Sequence, residues 1–139
     1  MNWKLILQLS LFGLAMGMAT VFVIPSNVEP LFWLAIFVVC AYVIAARAPG
    51  RYFLHGLGLG VANGVWMTGF HMLFAARYIA NHPQEAAMMA SMPLPAHPRI
   101  MMAIIGPVAG VVSGVVIGVL AMIASKVVTR RAATAVPGH

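Results

Sequence analysis

The chain has 139 residues, of which 63% are hydrophobic and only 7% are charged, and its formal net charge at pH 7 is +6. A water-soluble domain carries about a quarter of its residues as Asp, Glu, Lys and Arg, so this composition excludes an ordinary soluble protein. The high apolar content also excludes a disordered chain, and the single cysteine, Cys40, excludes an intrachain disulfide. We therefore expect an all-α membrane protein whose main partner is the lipid bilayer.

Four long apolar segments predict membrane-spanning helices, because the hydrocarbon core of a bilayer requires about 20 mostly apolar residues in helical form. In chain order the segments cover about residues 5–24, 31–46, 52–79 and 100–128. Pro25 ends the first segment, and Pro49 with Gly50 ends the second. The predicted fold class is an antiparallel four-transmembrane-helix bundle that forms a single integral membrane domain over residues 1–139.

The outer loop between the third and fourth segments, residues 81–99, predicts a short interfacial helix. Pro83 suits the first turn of a helix, and Glu85 suits the positive end of the helix dipole. Either Asn81 or His82 is expected to cap the amino terminus of this helix with its side chain. Its methionines would then dip into the outer leaflet of the membrane.

The basic residues predict that both termini lie in the cytoplasm, because Lys and Arg in short connections are retained on the cytoplasmic side. This orientation leaves only Arg77 and Arg99 outside, beside both acidic residues. It places six basic residues inside: Lys4, Arg47, Arg51, Lys126, Arg130 and Arg131. The expected location is a bacterial inner membrane.

Glycine recurs at four-residue intervals in three of the segments. Helices in lipid associate through close backbone approach, which Gly at every fourth position allows. We expect these residues to pack helices within one chain, while contact in a homo-oligomer or docking on a larger membrane complex remains the alternative. The helix-packing positions are Gly13, Gly17, Gly56, Gly60, Gly64, Gly106, Gly110, Gly114 and Gly118.

Few polar side chains occur deep in the predicted spans, and the informative ones are Asn63, His71 and Ser113. No Asp, Glu, Lys or Arg lies centrally, which argues against an ordinary proton-coupled carrier and against a charge-lined ion path. We expect Asn63 to form an interhelical hydrogen bond, with Ser113 or Gln8 as its partner. His71 is either a structural hydrogen-bonding residue or a group that binds a ligand or handles protons.

Methionine and histidine together raise the hypothesis of a soft-metal site, because thioether sulfur is a ligand that copper(I) prefers. Met67 and His71 lie one helical turn apart. A set of His82, Glu85 and His97 would supply two imidazoles and a carboxylate, but its spacing matches no zinc motif. The candidate metal ligands are Met67, His71, His82, Met88, Met92 and His97.

Other function classes find little support in the sequence. The basic residues are divided among separate helix ends with no patterned patch, so we expect no nucleic-acid partner. Catalytic and nucleotide-binding motifs are absent, so we expect neither an enzyme nor a bound cofactor. The leading hypothesis is a non-enzymatic scaffold or accessory subunit that acts through helix packing. The alternative is a small transporter or channel, with copper(I) as a candidate substrate.

Overall fold

The computed structural model describes residues 1–134, with side chains described as far as Thr129, and this part of the chain contains helices and no strands. Three of the helices, α1, α2 and α6, are long and apolar enough to cross a membrane. In chain order the helices are α1 (Trp3–Phe22), α2 (Glu29–Arg47), α3 (Tyr52–Leu73), α4 (Ala75–Asn81), α5 (Pro83–Ala90) and α6 (Pro98–Thr134).

The predicted third span, residues 52–79, is wrong in its length, because the structure divides it into α3 and α4. The backbone leaves the helical region at Phe74, where φ is −111° and ψ is 35°. Tertiary contacts hold this break: the Phe74 ring packs edge-on against Phe22 at 5.3 Å, and the Asn81 amide donates to the Val21 carbonyl oxygen at 2.6 Å. The chain therefore turns so that α4 lies against the end of α1.

Helices α3 and α6 run antiparallel and touch backbone to backbone. A Cβ atom on Gly64 would lie only 2.9 Å from the Cα atom of Gly110, and one on Gly60 would collide with Gly114. The same contact continues one turn further, where Gly56 lies against Gly118. Only glycine permits this approach, because any side chain would force the two helices apart.

Helix α1 runs parallel to α3 on the side away from α6. Gly13 lies against Asn63, and Gly17 lies against Phe70. At the start of both helices, the buried His55 accepts the backbone N–H of Asn2 at Nε2 over 2.9 Å, while its Nδ1–H donates to the Arg51 carbonyl oxygen at 3.0 Å. This imidazole therefore joins the amino-terminal ends of α1 and α3.

The apolar core is divided between the two ends of the bundle. At the end that carries the amino terminus and the end of α6, all four long helices and the residue that follows α2 contribute to the core: Leu5, Ile6, Leu9, Cys40, Ala41, Ile44, Ala48, Leu59, Ile117 and Ala121. At the opposite end, here called the α4–α5 end, a smaller cluster forms from Val21, Ala75, Tyr78, Met89 and Met102. Helix α2 contributes buried residues only to the first cluster. No buried apolar side chain therefore packs its amino-terminal half against the other helices.

A glycine comparison tests the α3–α6 contact. The change Gly60→Ala places a methyl group against the Gly114 backbone, which has no flexible atoms to yield, so we expect a loss of about 1–3 kcal/mol in unfolding free energy. The matched control is Gly69→Ala on the same helix, where a Cβ meets nothing within 4 Å. We expect no loss for the control. Thermal unfolding of the purified proteins measures both, and equal midpoints for the two variants would contradict the backbone contact.

Candidate functional site

A cavity of about 280 Å³ lies between α2, α3, α5 and α6 at the α4–α5 end. A wider depression of about 520 Å³ shares part of its lining and adds Leu34, whose side chain is exposed, so the cavity communicates with the surface beside α2. Both acidic residues of the chain, Glu29 and Glu85, line the cavity. We call it the acidic cavity.

One wall of the acidic cavity is a single face of α2. Glu29, Trp33 and Phe37 follow one another at intervals of four residues, so their side chains share that face. The indole N–H of Trp33 donates to Oε1 of Glu29 at 3.1 Å, and the Trp33 and Phe37 rings lie 5.7 Å apart. This wall combines a carboxylate with two aromatic rings.

The second carboxylate comes from the first turn of α5. Oε2 of Glu85 accepts a hydrogen bond of 2.7 Å from the Ser26 hydroxyl, in the connection between α1 and α2. No lysine or arginine with a described side chain lines the cavity. In a chain with eight basic residues and two acidic ones, this cavity therefore carries the negative charge.

A stack of three rings forms the base of the cavity at α4. The Tyr78 ring lies between His71 and His82, at centroid distances of 3.9 Å and 4.2 Å. Burial raises the pKa of the Tyr78 hydroxyl, and the carboxylates of Glu29 and Glu85 raise it further. The phenol therefore stays neutral and keeps its O–H as a donor at the cavity.

His82 connects the ring stack to Glu29. Its Nδ1–H donates to the Tyr78 carbonyl oxygen at 3.0 Å, and its Nε2 lies 3.6 Å from Oε2 of Glu29 without a hydrogen bond. In the neutral ring Nε2 then presents a lone pair to a carboxylate, whereas the protonated ring would donate to it. The second carboxylate oxygen of Glu29 thus faces a buried imidazole.

His71 joins the cavity wall to α1. The Thr20 hydroxyl donates to the Met16 carbonyl oxygen, so it accepts from Nε2 of His71 over 2.9 Å. This places the His71 proton on Nε2 and leaves Nδ1 as an acceptor. His71 therefore has a structural hydrogen bond and also lines the cavity.

Asn63 does not form the interhelical hydrogen bond expected from the sequence. Both polar atoms of its buried amide lack a partner among the described residues, and so does the hydroxyl of Thr68. Ser113, the expected partner of Asn63, lines the same cavity from α6. Gln8 lies with an exposed side chain on α1. Asn63 and Thr68 thus border the cavity with polar atoms that lack a partner among the described residues, although the Asn63 amide oxygen is directed at Gly13 of α1.

The structure brings together only part of the proposed soft-metal set. Met67, His71 and Met88 line the acidic cavity, and His82 lies behind it against Glu29. Met92 and His97 do not line it. Within residues 1–134 no three His, Cys, Asp or Glu side chains are grouped so that they could hold a metal ion, so this structure does not bring His82, Glu85 and His97 together.

The short helix in the outer loop exists as α5, with Pro83 and Glu85 in its first turn, but its expected side-chain cap is wrong. The side chain of Asn81 donates to α1, and that of His82 donates within α4. Met89 is buried against other protein side chains, so it does not extend into a leaflet. Helix α5 therefore closes one side of the cavity.

The nine glycines singled out from the sequence all face a neighbouring helix. Gly106 lies against Thr68, Gly110 against Gly64, Gly114 against Leu57 and Gly118 against Phe53. With the contacts described above, the glycine faces of α1, α3 and α6 are occupied inside the chain. Little of that surface is left for a partner.

Glu29, Trp33 and Tyr78 are the residues of this site that sequence reasoning missed. The four-residue spacing of Glu29, Trp33 and Phe37 was a usable signal, because it places the three on one helix face. No comparable signal joined Tyr78 to them. A comparison of the chain with protein families, with curated proteins and with solved structures found no match.

A tyrosine comparison tests the ring stack. The change Tyr78→Ala removes a ring that is 7% exposed and in contact with two histidines, so we expect a loss of about 3 kcal/mol in unfolding free energy. The matched control is Tyr42→Ala, whose side chain is 55% exposed, and we expect a change of less than about 1 kcal/mol. Thermal unfolding followed by circular dichroism separates the two. Similar losses for both would contradict the stacked arrangement.

Proposed function

We propose that the chain is an integral membrane protein in which α1, α2, α3 and α6 cross a bacterial inner membrane, with both termini in the cytoplasm. The length and apolarity of α1, α2 and α6 support three of these spans. Helix α3, which carries His55, Asn63 and His71, is not among the helices that meet the criterion for a membrane span, but it packs between α1 and α6. A helix shielded by two others tolerates polar residues that lipid would not.

Cysteine labelling tests this topology. In a Cys40→Ala background, Ser91→Cys lies just after α5 and Thr129→Cys lies near the end of α6. A membrane-impermeant maleimide added to intact cells should label Ser91→Cys and leave Thr129→Cys unmodified until the cells are opened. Labelling of both from outside, or of Thr129→Cys alone, would contradict the proposed orientation.

In this arrangement the protein acts as a small transporter or channel that receives a cation in the acidic cavity. The observation that carries the proposal is that both acidic side chains of a basic chain line one cavity, with no described lysine or arginine beside them. A cavity with one sign of charge concentrates ions of the opposite sign. The packed core at the opposite end separates this cavity from the cytoplasm.

Copper(I) is one cation that this cavity could receive. Met67, Met88, Met89 and Met102 line the cavity with His71, and these are soft donors. The proposal includes no resident cofactor, no nucleic-acid partner and no catalytic reaction.

The scaffold hypothesis keeps less support than the transporter. It was based on glycine faces free to bind a partner helix, and those faces are occupied by α1, α3 and α6 of the same chain. A homo-oligomer or a larger complex would instead have to use exposed apolar side chains, which lipid covers equally well.

Charge-selective modification tests the cation-binding cavity. In the Cys40→Ala background, Ser113→Cys places a thiol in the cavity wall, and Ser91→Cys places one on the exposed surface. At each position we compare the rate of modification by a trimethylammonium methanethiosulfonate with the rate for its sulfonate analogue. We expect this ratio of cationic to anionic rates to be about tenfold larger at position 113 than at position 91, because the carboxylates attract the cationic reagent.

The two carboxylates provide the control for this measurement. Gln retains an oxygen that accepts from Trp33 or Ser26, so Glu29→Gln with Glu85→Gln removes the charge while keeping both hydrogen bonds. In that variant the ratio of rates at position 113 should fall to the ratio at position 91. The proposal would be overturned if neither reagent modified the thiol at position 113. It would also be overturned if the ratio of cationic to anionic modification rates there did not depend on the two carboxylates.

A further inference from the structure

We infer that the ligand of the acidic cavity is an apolar organic cation whose charged group lies against Glu29, Trp33 and Phe37. The inference rests on the cation-binding function proposed above and names the class of its substrate. The three residues form one wall of the cavity, and the indole N–H of Trp33 holds the Glu29 carboxylate in place over 3.1 Å. The faces of aromatic rings attract ammonium groups, and a neighbouring carboxylate adds full charge.

The size and apolar character of the cavity favour an organic ligand over a bare ion. A volume of about 280 Å³ is much larger than one metal ion, whose ligands must converge within a few ångströms. No three His, Cys, Asp or Glu side chains among residues 1–134 converge in that way. The flexible thioethers that line the cavity, Met67, Met88, Met89 and Met102, adapt readily to an apolar ligand body.

Unused polar groups in the cavity point independently to a ligand. Asn63 is 3% exposed, lines the cavity and has no hydrogen-bond partner for either amide atom among the described residues. Thr68 also lines the cavity, and its buried hydroxyl also has no hydrogen-bond partner among the described residues. Buried polar groups without partners are rare in folded proteins, and a ligand that carries a hydrogen-bonding group beside its cation supplies a partner for the Thr68 hydroxyl or the Asn63 amide.

The charge balance of Glu29 suits a cationic ligand. Glu29 accepts one hydrogen bond from Trp33, and its other oxygen faces Nε2 of His82 at 3.6 Å. No lysine or arginine with a described side chain lines the cavity to neutralise this carboxylate. Glu85, held by Ser26 on the opposite side, adds a second charge to the same space.

Equilibrium binding of benzyltrimethylammonium to the full chain in lipid nanodiscs tests the inference. This probe joins a quaternary ammonium to a phenyl ring. We expect saturable binding of one probe per chain, weakened about tenfold or more by Glu29→Gln and about fivefold by Trp33→Leu. The matched control is Trp3→Leu, which removes a tryptophan that is 60% exposed and far from the cavity lining, and should leave binding unchanged. Benzenesulfonate, an anion, should not compete.

The outcomes separate this inference from the function on which it rests. One outcome is that the probe does not bind saturably while Ser113→Cys keeps its carboxylate-dependent preference for the cationic reagent. That outcome would overturn the inference but not the proposed cation-binding cavity. A second outcome is that the chain does not bind the probe but binds copper(I) stoichiometrically, and that Met67→Leu with His71→Ala abolishes copper binding. That outcome would overturn the inference in favour of a metal substrate. Loss of the reagent preference together with absence of probe binding would overturn both proposals.

Discussion

The close approach of α3 and α6 is the constraint on which the rest of the structure depends. Because Gly60 and Gly64 meet Gly114 and Gly110 backbone to backbone, the two helices form a rigid central pair. Helix α1 packs against one side of this pair. Helix α2 reaches the shared core only at the end that carries the amino terminus. The acidic cavity lies between this pair and the amino-terminal half of α2, which has no buried residues.

Each carboxylate in this apolar chain is partly buried and accepts a hydrogen bond from a neighbouring side chain. An isolated ionised carboxylate is costly to bury. Glu29 accepts from the Trp33 indole and faces His82, while Glu85 accepts from the Ser26 hydroxyl. These contacts bridge the cavity mouth from α2 to α4 and from the α1–α2 connection to α5. The Ser26–Glu85 hydrogen bond therefore both stabilises a carboxylate and joins the α1–α2 connection to α5.

The glycine contacts bear on the two functions that the sequence left open, and they are one reason for proposing a transporter rather than a scaffold. A scaffold acting through small residues requires those residues on a free surface, and here they face helices of the same chain. A transporter or channel requires an internal space with chemical character, and the acidic cavity supplies charge, aromatic rings and unused hydrogen-bonding groups. The proposal of a transporter or channel instead of a scaffold therefore rests on the positions of side chains, which the sequence alone did not give.

Composition and spacing were enough to predict an all-helical chain, the approximate bounds of α1, α2 and α6, and the helix α5 after Pro83. They were not enough to place the break at Phe74 or to unite Glu29, Tyr78 and His82, which are separated along the chain by tens of residues. The sequence by itself determined which segments are helical and which faces carry glycine, because apolarity and periodicity are local properties. Only the tertiary structure decided which faces meet and where they leave a cavity, because those outcomes depend on contacts between distant segments.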